Sequence, residues 1–355
     1  MGERKYWVVG VMSGTSLDGI DLVYTSIFNK NNKWYYKILC SETIHYTNAW
    51  LDTLKDLVHF AIEDINEIDT KYTVLLSEII KAFIKKHNIE IIDAICSHGH
   101  TALHKPNEGY TYQIGNQSQL AKLLGKTVVC DFRVQDVEFG GEGAPLVPIG
   151  DKLLFSEYDF CLNLGGFANI SFDMDDNRVA YDICPVNIVL NYYARQLKLY
   201  YDEDGAIAAT GSVDMALLDA LNQLDFYDQA PPKSLGLEWV QSKIFPLIDS
   251  FQIKTEDILC TFCEHIAIKI SNEIHKKANA SVLITGGGAY NIYLMSRLKN
   301  YCENDIVIPN KHLVEFKEAL IFAFLGVLKL RNEINCLKSV TGARENHSSG
   351  IIYQP

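Results

Sequence analysis

The chain has 355 residues and a formal net charge of −12, with 48% hydrophobic and 21% charged residues. This length favours two domains around two cores. An acidic chain without a stripe of Lys and Arg argues against nucleic-acid binding. Its longest apolar run, residues 319–328, is shorter than the ~20 residues that span a bilayer, and Asp18 and Asp21 come too early for a secretory signal. We therefore expect a cytoplasmic protein with no nucleic-acid or membrane partner.

The first predicted elements are two strands joined by a glycine turn. An apolar strand at residues 7–12 leads into Ser-Gly-Thr-Ser-Leu-Asp-Gly-Ile-Asp at residues 13–21, and a second strand covers residues 20–28. The glycines let backbone N–H groups approach an anion, and the hydroxyls can donate to phosphate oxygens. Asp18 and Asp21 can hold a hydrated divalent cation. No Gly-Lys-Ser/Thr follows, so the turn predicts a nucleotide-phosphate site on a β-hairpin rather than a Walker P-loop.

Several elements follow in the first half of the chain. In chain order they are a possible strand at 33–41, a long helical stretch at 48–87, a buried strand at 91–97, a helix from residue 121, a strand at 127–130 and a glycine-rich loop at 131–143. The cluster of Pro145, Pro148 and Gly150 indicates an inter-domain crossing.

The second half begins with a near repeat of the first. A strand at 159–164, a glycine turn at 165–169 and a returning strand at 170–174 follow the first hairpin by roughly 150 residues. This repetition predicts a duplicated architecture with a cleft between the copies. A third glycine loop, 286–288, joins a strand at 281–285 to a helix and is suited to lie against a base or ribose. The end of the chain, residues 351–353, is expected to return to the first domain as a strand.

Asp182 is the candidate for acid–base chemistry. It follows a strand-like segment at 179–181 and precedes Pro185, which suits the first turn of a helix. A carboxylate at a strand end beside a helix N-terminus stays ionised and can accept a proton from a hydroxyl or a water. An N-capping Asp without a chemical role is the alternative, and the residues alone do not decide between the two.

Other polar residues admit two interpretations each. His98 and His100 share a face if their segment is extended, which is the geometry of a metal-binding His-x-His pair. No later Asp-x-His or His-Glu-x-x-His supplies further ligands, so hydrogen bonding to a polar ligand or a structural role is the favoured interpretation. Arg133 can pair with a substrate carboxylate or with a neighbouring Asp. Glu315 and Glu318 are placed before an apolar helix, where the helix dipole alone favours them.

The cysteines and two polar segments are given structural interpretations. Nine cysteines, an odd number, indicate reduced thiols, and Cys260 and Cys263 form a lone Cys-x-x-Cys in a helical pattern that can simply pack. Residues 202–205 are interpreted as a solvated turn and residues 231–234 as a loop.

Six collinear motifs resemble the 1,6-anhydro-N-acetylmuramic acid kinase family. They are Gly-Val-Met-Ser-Gly-Thr-Ser-Leu-Asp-Gly-Ile-Asp at 10–21, Ser-His-Gly-His-Thr at 97–101, Asp-Phe-Arg at 131–133, Gly-Gly-Glu-Gly-Ala-Pro-Leu at 140–146, Asn-Leu-Gly-Gly-Phe-Ala-Asn at 163–169 and the triple glycine at 286–288. This resemblance implies an α/β, two-lobed actin/hexokinase-like (ribonuclease H-like, duplicated) fold with central mixed sheets. It also implies an ATP- and Mg²⁺-dependent sugar kinase of cell-wall sugar recycling, and a homodimer.

The resemblance also implies a role for each candidate residue. Asp182 matches the catalytic base, and His98, Arg133 and Glu318 match sugar-binding positions. The implied metal ligands are Asp18 and Asp21. The implied nucleotide-binding residues are Gly14, Thr15, Ser16, Leu17, Asp18, Gly19, Ile20, Asp21, Asn163, Gly165, Gly166, Asn169, Gly286, Gly287, Gly288 and Asn291. The first lobe is expected to contain 1–130 and 340–355, and the second 131–339.

The implied reaction opens the 1,6-anhydro ring with water while O6 is phosphorylated, giving N-acetylmuramic acid 6-phosphate. Two other functions stay open from the residues alone. One is a nucleotide-switched, non-catalytic binding protein on the same fold, and the other is a metallohydrolase using His98 and His100. The segment after Asp182, Ile-Cys-Pro-Val-Asn, differs from the Thr-Gly-Pro-Gly-Asn familiar in this family, and the exact sugar therefore stays open.

Overall fold

The computed structural model describes residues 4–14 and 17–355, and the chain divides into two compact units. The first unit contains Met1–Leu154 and Phe316–Pro355, and the second contains Phe155–Glu315. Each unit has one mixed β-sheet with helices packed against it. The described residues contain no helix that is long and apolar enough to span a membrane.

The strands are, in chain order, β1 (Lys5–Ser13), β2 (Ile20–Lys30), β3 (Lys33–Ile44), β4 (Ala94–Lys105), β5 (Tyr110–Ile114), β6 (Val128–Cys130), β7 (Phe160–Leu164), β8 (Phe167–Met174), β9 (Asn177–Pro185), β10 (Ser281–Thr285), β11 (Asp305–Val307) and β12 (Ile351–Tyr353). The α-helices are α1 (Asn48–Asp56), α2 (Ile62–Lys86), α3 (Gln119–Leu124), α4 (Val134–Glu138), α5 (Val147–Leu154), α6 (Asn187–Gln196), α7 (Met215–Asn222), α8 (Leu237–Trp239), α9 (Phe245–Asp249), α10 (Thr255–Ile274), α11 (Ile292–Tyr301), α12 (Lys311–Leu330) and α13 (Lys338–Thr341). A π-helical turn, Val240–Ile244, joins α8 to α9.

The two sheets share one topology. In the first unit the order is β12-β6-β4-β1-β2-β3, with β5 beside β4, and in the second it is β11-β10-β7-β8-β9. Each sheet has an antiparallel three-stranded meander, one parallel strand that pairs with the first strand of the meander, and a second parallel strand that pairs with the first parallel strand. The first sheet also contains β5 and β12, which pair antiparallel with β4 and β6. This correspondence confirms the α/β class, the mixed sheets and the duplication predicted from the repeated strand–turn–strand pattern.

Helices cover both faces of the first sheet. On one face, α2 buries Tyr72, Leu76 and Ile80 against strand residues that include Val9 and Val11. On the other face, α12 places its phenyl rings against the sheet, with the Phe324 ring centroid 5.0 Å from that of Trp34. A strand that is covered on both faces has few exposed positions, which explains why the sequence of β1 is apolar almost throughout.

The core of the second unit is organised around α10. This helix is buried along most of its length, including Cys260 and Cys263, and it packs with strands β7–β10 and helices α6, α7 and α11 in one continuous apolar cluster. Cys260 and Cys263 therefore behave as packed free thiols, as the helical pattern predicted.

Some element boundaries differ from the sequence-based expectation. The helical stretch predicted for residues 48–87 is divided into α1 and α2, because the chain turns at Leu57–His59 and has extended backbone at Phe60. The strand expected at 91–97 is displaced to β4 and continues through both His98 and His100. The last strand, β12, pairs with β6 in the first unit as expected.

The unit boundaries also lie elsewhere than expected. We predicted that the second lobe contains residues 131–339, whereas the compact second unit contains Phe155–Glu315. The loop after β6 belongs to the first unit because the Asp136 carboxylate accepts hydrogen bonds from Thr341 and Cys336 near the end of the chain. Long-range contacts of this kind cannot be predicted from local sequence patterns.

Candidate active site

The first glycine turn lies at the end of the β1–β2 hairpin. Ser13 pairs with Ile20 across the hairpin, and Leu17 has a left-handed backbone with φ of 62°. At Gly19, φ is 151° and an added Cβ would lie 2.6 Å from the Ile44 carbonyl oxygen, so a larger residue does not fit. The predicted phosphate-contacting residues Thr15 and Ser16 lie outside the described residues. The turn is compact where it is described, as an anion-binding backbone requires.

Both predicted metal ligands belong to this turn. Asp18 is exposed, and its backbone carbonyl accepts from the His45 Nδ1–H at 2.6 Å. The Asp21 carboxylate accepts from the Thr43 hydroxyl at 2.6 Å, which orients it. Carboxylate oxygens at one turn are suitable donors for Mg²⁺, which commonly takes one or two carboxylates and completes its shell with phosphate and water. The donor set therefore fits the expected ion.

A series of hydrogen-bonded, buried hydroxyl groups supports the first glycine turn. The Ser13 hydroxyl lies 2.6 Å from the Tyr46 hydroxyl and 2.8 Å from His100 Nδ1, and Tyr46 lies 2.8 Å from the Tyr72 hydroxyl. Burial lowers the pKa of His100 to about 4, so this ring is neutral at pH 7. His100 therefore stabilises the β1–β2 hairpin and has a structural role.

The pair His98 and His100 does not form the metal site that a shared face would allow. β4 gains an extra residue relative to β1, since Val11 pairs with Ser97 and Ser13 pairs with His100. The His98 ring packs on Phe322 of α12, whereas the His100 ring lies near Tyr72 of α2. The two imidazoles are thus on opposite faces of the sheet, because the bulge reverses the alternation of side chains.

Arg133 is held by two hydrogen bonds in the first unit. Its Nε donates to His98 Nε2 at 2.8 Å, and its Nη1 donates to the Gly143 carbonyl oxygen at 2.6 Å. Burial and the Arg133 charge hold the pKa of His98 well below its ordinary value. Burial lowers the pKa of Arg133 to about 10, which still leaves the guanidinium charged at pH 7. His98 therefore positions a cation, and a bound metal would be repelled there.

Glu318 lies in the same electrostatic environment as Arg133. Burial raises the pKa of its carboxyl group, and the charges of Arg133 and Lys317 oppose that rise. Helix α12 is kinked at Phe316, where φ is −114° and ψ is 16°, so Glu318 lies in the first turn of the part that follows the kink, as expected from the sequence. The first unit thus brings together His98, Arg133 and Glu318, the three predicted sugar-binding residues.

In the second unit, three predicted site residues form one row across the sheet. Asn163 of β7 pairs with Asn169 of β8, and Asn169 pairs with Asp182 of β9. Directly paired residues place their side chains on the same face. A bulge at Ile183 sets this register, since Ala168 pairs with Cys184 and the next residue pairs with Asp182. Without the extra residue, Asn169 would face Ile183 and the Asp182 side chain would point to the opposite face.

The Asp182 carboxylate is oriented by a neighbouring loop. Its Oδ2 accepts from the Leu235 backbone N–H at 2.8 Å and from the Ser234 hydroxyl at 3.3 Å. Burial raises the pKa of Asp182, and these two donors oppose the rise. A half-buried carboxylate with a raised pKa and only neutral donors is a suitable proton acceptor.

One expectation about this segment is wrong, and another is confirmed but incomplete. Asp182 lies inside β9 and not at a helix N-terminus, because the strand continues to Pro185 and Val186 occupies the N-cap of α6. The loop at 231–234, interpreted only as a connection, supplies the Ser234 donor to Asp182. Nothing in the sequence connected this loop with residue 182.

The second glycine turn caps α6. The Gly166 carbonyl oxygen accepts from Val186 N at 2.8 Å and from Ile188 N at 3.3 Å, and the Gly165 carbonyl oxygen accepts from Asn187 N at 3.3 Å. The turn therefore uses its carbonyl oxygens for the fold, which fixes its position relative to the polar row that ends at Asp182.

The third glycine loop lies beside Asn163. Gly286 has φ of 83°, and an added Cβ would lie 2.7 Å from Asn163 Oδ1, while a Cβ on Gly165 would lie 3.4 Å from Asn163 Nδ2. Asn163 is thus placed between the two loops of the second unit. Gly287 has no such close neighbour and lines a cavity, whereas Gly288 packs against Leu164.

The cavity has a volume of about 510 Å³, which suits a small ligand. Most of its lining residues have polar or aromatic side chains, and the full lining is Asn187, Leu190, Asn191, Tyr201, Asp202, Glu203, Asp204, Gly287, Tyr290, Asn291, Lys311 and Glu315. Its four carboxylates against one lysine disfavour phosphate and favour hydroxyl and amino donors, while the tyrosines offer flat surfaces to a base. Asn291 lines this cavity and also caps α11 by accepting from Leu294 N at 2.8 Å.

The solvated-turn interpretation of residues 202–205 holds for Glu203 and Asp204, which are exposed, but not for Asp202. Asp202 is buried, and its carboxylate accepts from the backbone N–H groups of Ile207 and Ala208, both at 2.9 Å. Together with Glu203 and Asp204 it forms one wall of the cavity. Acidic, glycine-containing segments resemble exposed turns in sequence, which explains the error.

Comparisons with known proteins agree with one another. The profile of the family described as anhydro-N-acetylmuramic acid kinase matches residues 6–355. A curated relative of that name from a Sulfurovum species is 33% identical over 372 residues, covering 99% of this chain and 100% of the relative. Another, from a gamma-proteobacterium, is 36% identical over 353 residues and covers 94% of both chains.

Among solved structures, a ligand-bound xylulose kinase from Lactobacillus acidophilus matches with a TM-score of 0.44 and 12% identity, covering 99% of this chain and 94% of that one. A glucokinase from Streptomyces griseus, in complex with glucose and AMPPNP, matches with a TM-score of 0.41 and 11% identity, covering 90% and 98%. The full-length family match and the relatives above 30% identity show that this chain belongs to the anhydro-N-acetylmuramic acid kinase family.

Proposed function

We propose that this protein is a kinase that uses ATP to convert 1,6-anhydro-N-acetylmuramic acid into N-acetylmuramic acid 6-phosphate. Its relatives carry the name of that activity over the full length of the chain. The single structural observation that supports the proposal best is Asp182, a half-buried carboxylate that accepts only neutral hydrogen bonds at the end of a polar row. A hydrolytic ring opening needs one such base.

The proposed reaction joins a ring opening to a phosphoryl transfer. Asp182 takes a proton from water while the water oxygen forms a bond to the anomeric carbon, and the bond from that carbon to O6 breaks. O6 forms its bond to the γ-phosphorus as the bond from phosphorus to the β,γ-bridging oxygen breaks, releasing ADP. The proton on Asp182 returns to solvent. The main contribution of the protein is positioning, as is usual for phosphoryl transfer.

We assign the nucleotide to the three glycine loops. Gly14, Leu17, Asp18, Gly19, Ile20 and Asp21 at the first turn, with Thr15 and Ser16, are proposed to contact phosphates. In the second unit, Asn163, Gly165, Gly166 and Asn169 are proposed for the same role. The base and ribose are assigned to the acidic cavity beside Gly287 and Asn291, because carboxylates accept hydrogen bonds from ribose hydroxyls and repel phosphate.

Mg²⁺, when bound with ATP, would neutralise charge on the phosphates, and Asp18 and Asp21 are the residues that would hold it. The sugar is proposed to contact His98, Arg133 and Glu318 in the first unit. Arg133 presents a fixed guanidinium, which suits the carboxylate of the lactyl group of a muramic acid. A cytoplasmic location, a homodimer and a role in cell-wall sugar recycling belong to the same proposal.

A product-mass assay tests the proposal directly. The purified protein is incubated with ATP, Mg²⁺ and a panel of sugars: the anhydro sugar, N-acetylmuramic acid and N-acetylglucosamine. We expect one product, from the anhydro sugar alone, whose mass has increased by one phosphoryl group and one water. A product lacking the water would contradict the ring-opening step.

The same assay separates the two alternatives. A nucleotide-switched binding protein would release no additional ADP when the anhydro sugar is added at saturating Mg-ATP. A metallohydrolase would give the ring-opened sugar without phosphate and without ATP. Neither alternative is favoured by the structure, because Arg133 occupies His98 Nε2 and Asp182 has the partners expected of a base.

A further inference from the structure

A buried cluster of metal-ligating side chains lies in the first unit, next to Arg133 but made of residues that have no assigned role in nucleotide or sugar binding. Asp136 of α4, Cys336 and His347 have ligand atoms that all lie within 4.8 Å of one another, and all three residues are buried. Among the described residues, no other group of three or more His, Cys, Asp or Glu side chains has its ligand atoms this close together. We propose that this cluster, the Asp136–Cys336–His347 site, binds one Zn²⁺ ion.

The hydrogen bonding of His347 points to a cation. Its Nδ1 lies 3.0 Å from the Glu345 carbonyl oxygen, and since a carbonyl can only accept, Nδ1 carries a proton. In the neutral ring the other nitrogen, Nε2, then has a lone pair. Nε2 is buried without a hydrogen-bond partner among the described residues and lies 3.5 Å from Asp136 Oδ1. Two acceptor atoms that face each other in a buried site are stabilised by a cation between them.

The backbone pre-organises two of the ligands. Cys336 and His347 form an antiparallel β-bridge, with Cys336 N donating to the His347 oxygen at 3.1 Å and His347 N donating to the Cys336 oxygen at 3.2 Å. Residues paired in this way direct their side chains to the same side. Asn335 fixes the same strand pair through hydrogen bonds with Ser349 N at 2.7 Å and Ser349 O at 2.9 Å. The thiol and the imidazole therefore converge without backbone movement.

The third ligand is equally well held. Asp136 Oδ1 accepts from the Thr341 hydroxyl at 2.8 Å and from Cys336 Sγ at 2.9 Å, while Oδ2 accepts from Gly143 N at 2.7 Å. Outer hydrogen bonds of this type, including the one from His347 Nδ1 to a backbone carbonyl, are typical around zinc ligands.

The chemistry of the donors selects the metal. One sulfur, one imidazole nitrogen and one carboxylate oxygen suit zinc, whereas Mg²⁺ and Ca²⁺ require oxygen ligands. On binding, Cys336 gives its proton to solvent and the Cys336–Asp136 hydrogen bond is replaced by two metal–ligand bonds. The thiolate and the carboxylate together carry two negative charges, so a bound dication makes the buried site electrically neutral.

Binding would join two distant parts of the chain. Asp136 belongs to the loop after β6, which also carries Arg133, and Gly143 contacts both Asp136 and Arg133. Cys336 and His347 belong to the segment that precedes β12. A bound ion would therefore fix the loop of the proposed sugar-binding arginine to the end of the chain.

The test uses the full-length protein, freed of metal with a chelator and then supplied with Zn²⁺ or Co²⁺ alone. We expect one zinc per chain after gel filtration, a higher unfolding temperature with zinc, and a Co²⁺ absorption spectrum with a thiolate charge-transfer band. Metal-free wild-type protein that fails to retain zinc, and whose unfolding temperature does not change, would overturn the proposal.

Substitutions of the proposed ligands test where the ion binds. Cys336→Ser and His347→Gln are expected to weaken zinc binding by at least ~10-fold, since even residues that only support metal ligands have effects of about 10–100-fold. Cys302→Ser, at another buried free cysteine in the second unit, and His98→Asn are the matched controls and should retain one zinc. Unchanged zinc affinity in both cluster variants, or a Co²⁺ spectrum without the thiolate band, would place the metal elsewhere and contradict the proposal. These readouts do not depend on kinase activity.

Discussion

Each unit has one carboxylic acid with a raised pKa among its candidate site residues, and the two acids have different neighbours. Asp182 in the second unit accepts only neutral hydrogen bonds, from Leu235 N and the Ser234 hydroxyl. Glu318 in the first unit faces the charges of Arg133 and Lys317. Burial raises the pKa of both carboxyls, so the difference between them comes from their partners.

This difference supports the proposal that Asp182 is a base and Glu318 a binding group. A carboxylate beside a fixed cation is stabilised in its charged form, and taking up a proton would cost it that interaction. Asp182 loses no ion pair when it is protonated, so it can take a proton from water and release it again. The first unit is therefore expected to recognise the sugar and the second to activate water, and four substitutions test this division.

The largest effect is expected for Asp182→Asn. The amide keeps the size of the side chain but cannot accept a proton, so kcat should fall by about 10²–10⁴-fold while ATP affinity changes little. Steady-state kinetics and calorimetric titration with an ATP analogue measure the two quantities. Asp176→Asn, at the exposed turn between β8 and β9, is the control and should leave kcat unchanged. Wild-type turnover in Asp182→Asn would remove the assignment of the base.

The next effect is expected for Arg133→Lys. A lysine cannot donate to His98 Nε2 and to the Gly143 carbonyl oxygen while keeping the planar fork of a guanidinium. We expect kcat/KM for the sugar to fall by about 10–100-fold, mainly through KM, because one or two charge-assisted hydrogen bonds are lost. The exposed Arg344→Lys is the matched control. If kcat fell instead and KM stayed constant, Arg133 would belong to the chemical step and the division between the units would be wrong.

Asp18→Ala tests the nucleotide side of the first unit. Removing one proposed Mg²⁺ ligand should weaken Mg-ATP binding by roughly 10-fold, the scale of one interaction with a charged group. The affinity for ATP measured with a chelator present should not change. Asp52→Ala on α1, another exposed acid of the first unit, controls for the change of net charge. Equal Mg-ATP affinities in the two variants would contradict the proposed metal site.

The smallest effect is expected for Ser234→Ala. The Ser234 hydroxyl donates to the charged form of Asp182 and lowers the pKa of that carboxyl, so its removal should raise the pKa further. Because the base must be ionised, the acid limb of the kcat/KM profile should move to higher pH by about 0.7 unit, the equivalent of one ~1 kcal/mol hydrogen bond. Activity should therefore be lost first at low pH. Ser242→Ala is the control, since its hydroxyl contacts only the Trp239 carbonyl oxygen, and a shift to lower pH would contradict the assigned role of Ser234.

Local patterns in the sequence determined much of the secondary structure and sheet architecture of this protein. Apolar runs ending in glycine turns predicted the hairpins β1–β2 and β7–β8, and their repetition predicted the duplicated sheets, because strand alternation and turn chemistry are properties of neighbouring residues. The collinear motifs of residues 10–21 and 163–169 indicated the family that the full-length match then showed.

Tertiary structure alone decided the contacts around those motifs. A bulge at Ile183 places the Asp182 side chain on the same face as the polar row. A bulge in β4 places the His98 and His100 side chains on opposite faces of the sheet. Ser234 reaches Asp182 across 52 positions of sequence, and Asp136 meets Cys336 across 200. Register shifts depend on how whole strands pack, and contacts between distant residues depend on how the chain returns, so neither is encoded in the spacing of nearby residues.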